Sequence, residues 1–176
     1  VESSSSSDNR ERLIREGLIR EASQRGGPAL AEHTRIYLTH IDDIDNRGAK
    51  GAFEGHRHAL NAIVNGNVSP EVLQTATNDF GVLADTVQTY VLHRKCCASL
   101  GRLRPRVREM KWGIPLGDLV YDQKEQLKQH IEEINRAGDY YQENRETRHA
   151  QFAARQHRSA ARKLVNVSRE LERLEN

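Results

Sequence analysis

A chain of 176 residues with 36% hydrophobic residues, 30% charged residues and four prolines has too little apolar material for a thick spherical core and few breaks to interrupt helices. Its net charge of +2 with histidine neutral excludes a uniformly polycationic or polyanionic protein. No apolar run approaches the roughly 18 residues that a membrane span requires.

Residues 1–8, VESSSSSD, offer almost nothing to bury and are expected as a disordered serine-rich tail. Helices then fill residues 9–66. Asp8 or Asn9 caps the first, and Leu13, Ile14, Leu18, Ile19 and Ala22 give it one apolar face. Gly26 and Gly27 stop it, and Pro28 suits the first turn of the next helix. Leu30, His33, Tyr37, Leu38, Ile41 and Ile44 recur at helical spacing in that second helix. Asn46–Gly48 reads as a turn, and Glu54–Asn65 as a short helix with Phe53, Leu60, Ile63 and Val64 inward.

Residues 67–176 read as a long antiparallel helical hairpin around a basic Pro/Gly turn at 101–117. Ser69 caps its first helix and Pro70 takes the first helical position. Leu73, Ala76, Phe80, Leu83, Val87, Tyr90, Arg94 and Cys97 form a seam with steps of three and four. Pro105 is expected to break or kink the chain. The stretch WGIPLGDL follows, with Trp112, Ile114, Leu116 and Leu119 as an apolar plug and a protein-contact candidate. From about Asp118 a long C-terminal helix is expected, with an interruption at Ala137–Tyr140 or Asn144–Arg148 if it divides. Leu127, Ile131 and Ile134 carry its first seam; Leu164, Val167, Leu171 and Leu174 carry its last, which needs a partner in this chain or another. The fold expected is all-α: an elongated helical bundle with a long C-terminal helix and coiled-coil-like seams.

Little in the sequence points to catalysis. His56 and His58 are two apart and face different directions on a helix. Glu146 and His149 have the Glu-x-x-His spacing of di-iron bundles, but no second such pair exists. The Asp42, Asp43, Asp45 cluster lacks calcium-loop spacing, and no phosphate-binding glycine loop occurs. Cys96 and Cys97 are adjacent, which strains a mutual disulfide. They read as structural thiols of a cytoplasmic or other reducing intracellular compartment. No enzymatic activity, metal or cofactor is expected. The chain starts with Val1, which reads as a processed or trimmed product.

The charge distribution is more informative. Two basic islands interrupt otherwise acidic sequence. One holds Arg102, Arg104, Arg106, Arg108 and Lys111; the other holds Arg148, Arg155, Arg158, Arg162 and Lys163. Glycine and proline favour an irregular backbone in the first, and the second makes a stripe along one helical face. Arginine forks bind phosphate well, so a groove for RNA or DNA formed where the islands meet is one expectation. The other is pairing of the islands with acidic helices of the bundle. A structural or adaptor subunit with protein partners or self-association is the leading expectation. A helical nucleic-acid-binding or packaging protein is the alternative.

Overall fold

The computed structural model describes the backbone of residues 2–109 and 114–176, and all side chains within them except those of 2–5, 56–59, 109 and 114–115. Among the described residues the chain is almost entirely α-helical: α1 Glu2–Ile41, α2 Arg47–Asn65, α3 Pro70–Glu109, α4 Ile114–Asn144 and α5 Ala150–Glu175. It divides into two units, residues 1–87 and 88–176, with α3 contributing to both.

In the first unit α1 is not one straight rod. Gly27 has φ +79° and ψ −170°, a conformation that only glycine reaches without strain. A Cβ on neighbouring Gly26 would sit 2.4 Å from the Leu30 side chain, so both glycines serve a tight reversal. Pro28 then opens the second arm at the position where its missing N–H costs nothing. The Arg15 guanidinium consequently reaches the Asp42 carboxylate, although an unbroken helix would hold them about 40 Å apart. Asp42 also lies 3.8 Å from Lys50.

Tyr37 ties the unit together. It is fully buried, its O–H donates to the Phe53 carbonyl at 2.9 Å, and its ring lies 5.4 Å from that of Phe80. Gly81 faces His33 so closely that a Cβ would fall 2.6 Å from the imidazole. Helix α2 begins seven residues before the expected Glu54, because the Asn46 side chain accepts from the Ala49 N–H at 3.0 Å and caps the start. The serine run from residue 2 belongs to α1 instead of forming a tail. Once the helix beyond it exists, extension needs only propagation, and serine is a tolerable helix residue.

The second unit joins the latter part of α3 to α4 and α5. Glu133 pairs with Lys163 at 2.7 Å and Gly138 faces His157, which makes α4 and α5 antiparallel. Cys96 shares a side-chain hydrogen bond with Ser168, and Ser99 donates to Glu175 at 3.1 Å, which makes α3 and α5 parallel. Leu92, Cys96, Leu100, Leu103, Leu127, Ile134, Leu164, Val167 and Leu171 meet in its core. The single hairpin expected for 67–176 is therefore a set of three helices.

One sequence expectation changes here, and another resolves to one of its two alternatives. Helix α3 continues through Pro105 to Glu109. The backbone bond that proline forfeits is the one to the Gly101 carbonyl, and both residues are exposed, so water can solvate the freed group. The long C-terminal helix divides at residues 145–149. There Thr147 donates both its N–H and its hydroxyl to the Asn144 carbonyl at 3.0 Å, and the His149 N–H donates back to that hydroxyl at 3.1 Å. Gly138, the other expected weak point, lies within continuous helix.

Candidate interaction surfaces

Heptad geometry decides which side chains the second unit keeps for itself. In α5, Ala153, His157, Ala160, Leu164, Val167, Leu171 and Leu174 alternate by four and three, and all are buried. Residues that belong to a lone helix's apolar stripe thus fill the unit's own interior. Of the residues expected at a protein interface, Leu127, Ile134, Leu164, Val167, Leu171 and Leu174 lie in this core, with Ile131 and Leu116 packed against it. Leu119 is exposed. Trp112 lies outside the described residues, as do Lys111 and the Ile114 side chain.

The first basic island is split by the helical phase of α3. Arg102 makes an ion pair with Glu175 through Nε and donates from Nη2 to the second carboxylate oxygen at 3.2 Å. Arg106 Nη1 donates to the carbonyls of Leu174 at 3.3 Å and Glu175 at 2.9 Å. A helix C-terminus exposes unsatisfied carbonyls and carries partial negative charge, so two cations there are well placed. The Arg102 hydrogen bond holds the Glu175 carboxyl below its ordinary range and raises the guanidinium's own pKa. Arg104 and Arg108 project elsewhere, beside Tyr121 and Lys124, along an open α3–α4 groove floored by Leu100, Val107 and Val120.

The second island lies on another part of α5. Arg102 is level with Glu175, twelve positions beyond Lys163, or about 18 Å along the helix. The islands therefore do not meet in one groove, because the parallel register of α3 on α5 sets them apart. Within the second island the fates differ again. Lys163 pairs with Glu133, and Arg158 is half-buried and engaged within the chain. Arg148 lies in the turn before α5 and donates to His149 at 3.4 Å. Arg155 and Arg162 are exposed on the face away from the core.

Arg169 belongs with them and was not among the expected residues. It is exposed one heptad beyond Arg162, on the same face. Its signal was the seven-residue step itself, hidden because the last thirteen residues carry a net negative charge. Phe152, 54% exposed, precedes Arg155 by one turn. Residues 150–169 contain five cations and no carboxylate.

Cys97 is exposed, while Cys96 is buried, and burial pushes its thiol up to about 11, the reverse of what a nucleophile needs. Cys96 rather than Cys97 faces the core, because the buried face of α3 shifts by one residue after Val87. Among the described residues, no group of three or more His, Cys, Asp or Glu side chains could hold a metal ion, and no helix is long and apolar enough to cross a membrane. No protein-family model matches the chain, and comparison with curated proteins and with solved structures gives no match.

Proposed function

We propose that this chain is a non-enzymatic structural or adaptor subunit that contacts other macromolecules through the charged outer faces of its helices. One observation carries the reading. The apolar seam of α4 and α5 is filled from within the unit, whereas Arg155, Arg162 and Arg169 stand exposed with no ion pair among the described residues. Exposed charge left unpaired contributes little to a helix's own stability but steers and orients encounters with an oppositely charged partner. The free thiols fit a reducing compartment.

The test is site-specific photo-crosslinking in cells, with the photoreactive residue at position 155 or 162 and, as control off α5, at exposed Ala98 on α3. Adducts confined to the arginine face support the reading. An equal adduct pattern at all positions, or none at any, contradicts it.

A second reading assigns the same face to RNA or DNA. The acid-free stretch 150–169 and the exposed Phe152 beside Arg155 favour it, since phosphate contacts and base stacking are the usual elements of single-strand binding. Binding through three arginines would lose affinity with salt at a log–log slope of about −2 for single strands. Fluorescence anisotropy of a labelled oligonucleotide across a salt series measures that slope directly.

A further inference from the structure

Helix α4 carries the counterpart of the arginine row. Asp118, Glu125, Glu132 and Asp139 recur at seven-residue steps, on the side of α4 away from Leu127 and Ile134. Asp118, Glu132 and Asp139 are exposed and Glu125 is half-buried. On α5, Arg155, Arg162 and Arg169 recur at the same step. Both rows advance by about 10.5 Å per seven-residue step, so every rung of one can face a rung of the other in either helix direction. None of the seven side chains makes an ion pair among the described residues, although Glu133, next to Glu132, pairs with Lys163. The two rows belong to helices already packed on each other, and each points outward, so one copy cannot bring its own rows together.

We propose that the acidic row on α4 of one copy docks on the arginine row on α5 of a second copy. This deepens the interaction-subunit reading and rests on it. The contact joins two different surfaces, so each copy keeps one free row at either end and association continues past the dimer unless the rotation closes a ring. Lys128 and Arg136 flank the acidic row and weaken its field, which makes the association modest and reversible. An exposed ion pair strengthens binding by about 1.4- to 5-fold, so three rungs together supply up to about 100-fold. Phe152 and Tyr121, 54% and 61% exposed beside the two rows, add apolar area to the contact.

Sedimentation velocity on the whole chain tests this. At low salt, where charges interact over about 30 Å, species beyond the dimer should grow with concentration, and near 1 M salt, where the range falls to about 3 Å, they should disperse. Two charge-reversed variants complete the experiment: R155E/R162E/R169E and E125K/E132K/D139K. Each alone should remain monomeric. Their equimolar mixture should associate again, because the acidic α5 of one then meets the basic α4 of the other, which also shows that both variants fold. Wild-type protein that stays monomeric at low salt overturns the proposal, as does a mixture that fails to re-associate. If that monomer binds a single-stranded RNA oligonucleotide and R155E/R162E/R169E does not, the arginine face serves nucleic acid and the second reading replaces the first. A monomer that still gives photo-crosslinks confined to the arginine face overturns self-docking and leaves the interaction-subunit reading in place, whereas one that gives none overturns both.

Discussion

Replacing Gly138 with alanine should stabilise the second unit. Gly138 lies inside α4, six residues before its end, where glycine costs about 0.8–1.0 kcal/mol relative to alanine. The added Cβ would meet His157 Cδ2 at 3.8 Å and Nε2 at 3.9 Å, which is ordinary van der Waals contact and carries no steric penalty. The net gain should therefore be about 1 kcal/mol, or a rise of roughly 4–8 °C in the melting temperature of a unit of this size. Calorimetry and far-ultraviolet circular dichroism on the full chain, wild type beside Gly138→Ala, measure it. A lowered melting temperature would mean that α4 and α5 approach more closely than 3.8 Å at this level. An unchanged one would mean that the chain is not helical at residue 138, and that the break between α4 and α5 lies there instead of at 145–149.

Three other outcomes follow from the same packing. Leu164→Ala, at a fully buried position, should cost about 2–5 kcal/mol; a loss below about 1 kcal/mol in urea unfolding would show that α5 does not pack as described. The Cys96 thiol is pushed up to about 11 by burial, so the folded chain keeps its proton after the unfolded chain has lost it. Its contribution is complete below the ordinary thiol value of 9.0, and about 2 kcal/mol should be lost as pH rises from there to 11. Cys96→Ala should lack that part of the alkaline decline, and an identical decline in both proteins would contradict the burial of the thiol. Glu175 is held below the ordinary carboxyl range by Arg102, so its stabilisation is present above that range and lost as pH falls through its lowered value. Glu175→Gln should accordingly be less stable at neutral pH and should flatten the acid limb of the stability profile, whereas an unchanged profile would remove the α5 clamp.

How much of this was readable depended on the range of the forces involved. Ser69 and Pro70 announce the start of α3, and Gly26, Gly27 and Pro28 announce the reversal in α1, because caps and φ preferences act over a few residues. The sequence marks Pro105 as a break or kink, and α3 continues through it. Its cost depends on whether the lost bond faces water or core, and neither residue type nor spacing reveals that exposed Gly101 holds the freed carbonyl. The seam of α3 was assigned to Arg94 and Cys97, whereas Leu92 and Cys96 are buried. A one-residue phase shift is invisible when apolar residues flank both choices. Arg102 and Arg106 resembled Arg104 and Arg108 in sequence, and only the register between α3 and α5 assigns the first pair to the carbonyls and carboxylate at the end of α5. The row on α5 was legible only as far as Arg155 and Arg162, and the acidic row on α4 was not picked out at all. A seven-residue step gains meaning only once both rows are shown to lie outside the core.

The central claim is that the two basic islands do different work: Arg102 and Arg106 hold the bundle, and Arg155, Arg162 and Arg169 face outward to a partner. Neutralising each set by glutamine and measuring both urea unfolding and sedimentation at low salt tests it most directly. The account predicts that Arg102→Gln with Arg106→Gln lowers stability and leaves self-association in place. It predicts that the triple change on α5 leaves stability within about 0.5 kcal/mol and abolishes self-association. Loss of stability in the α5 variant with association intact, or identical behaviour of the two variants in both assays, would contradict it.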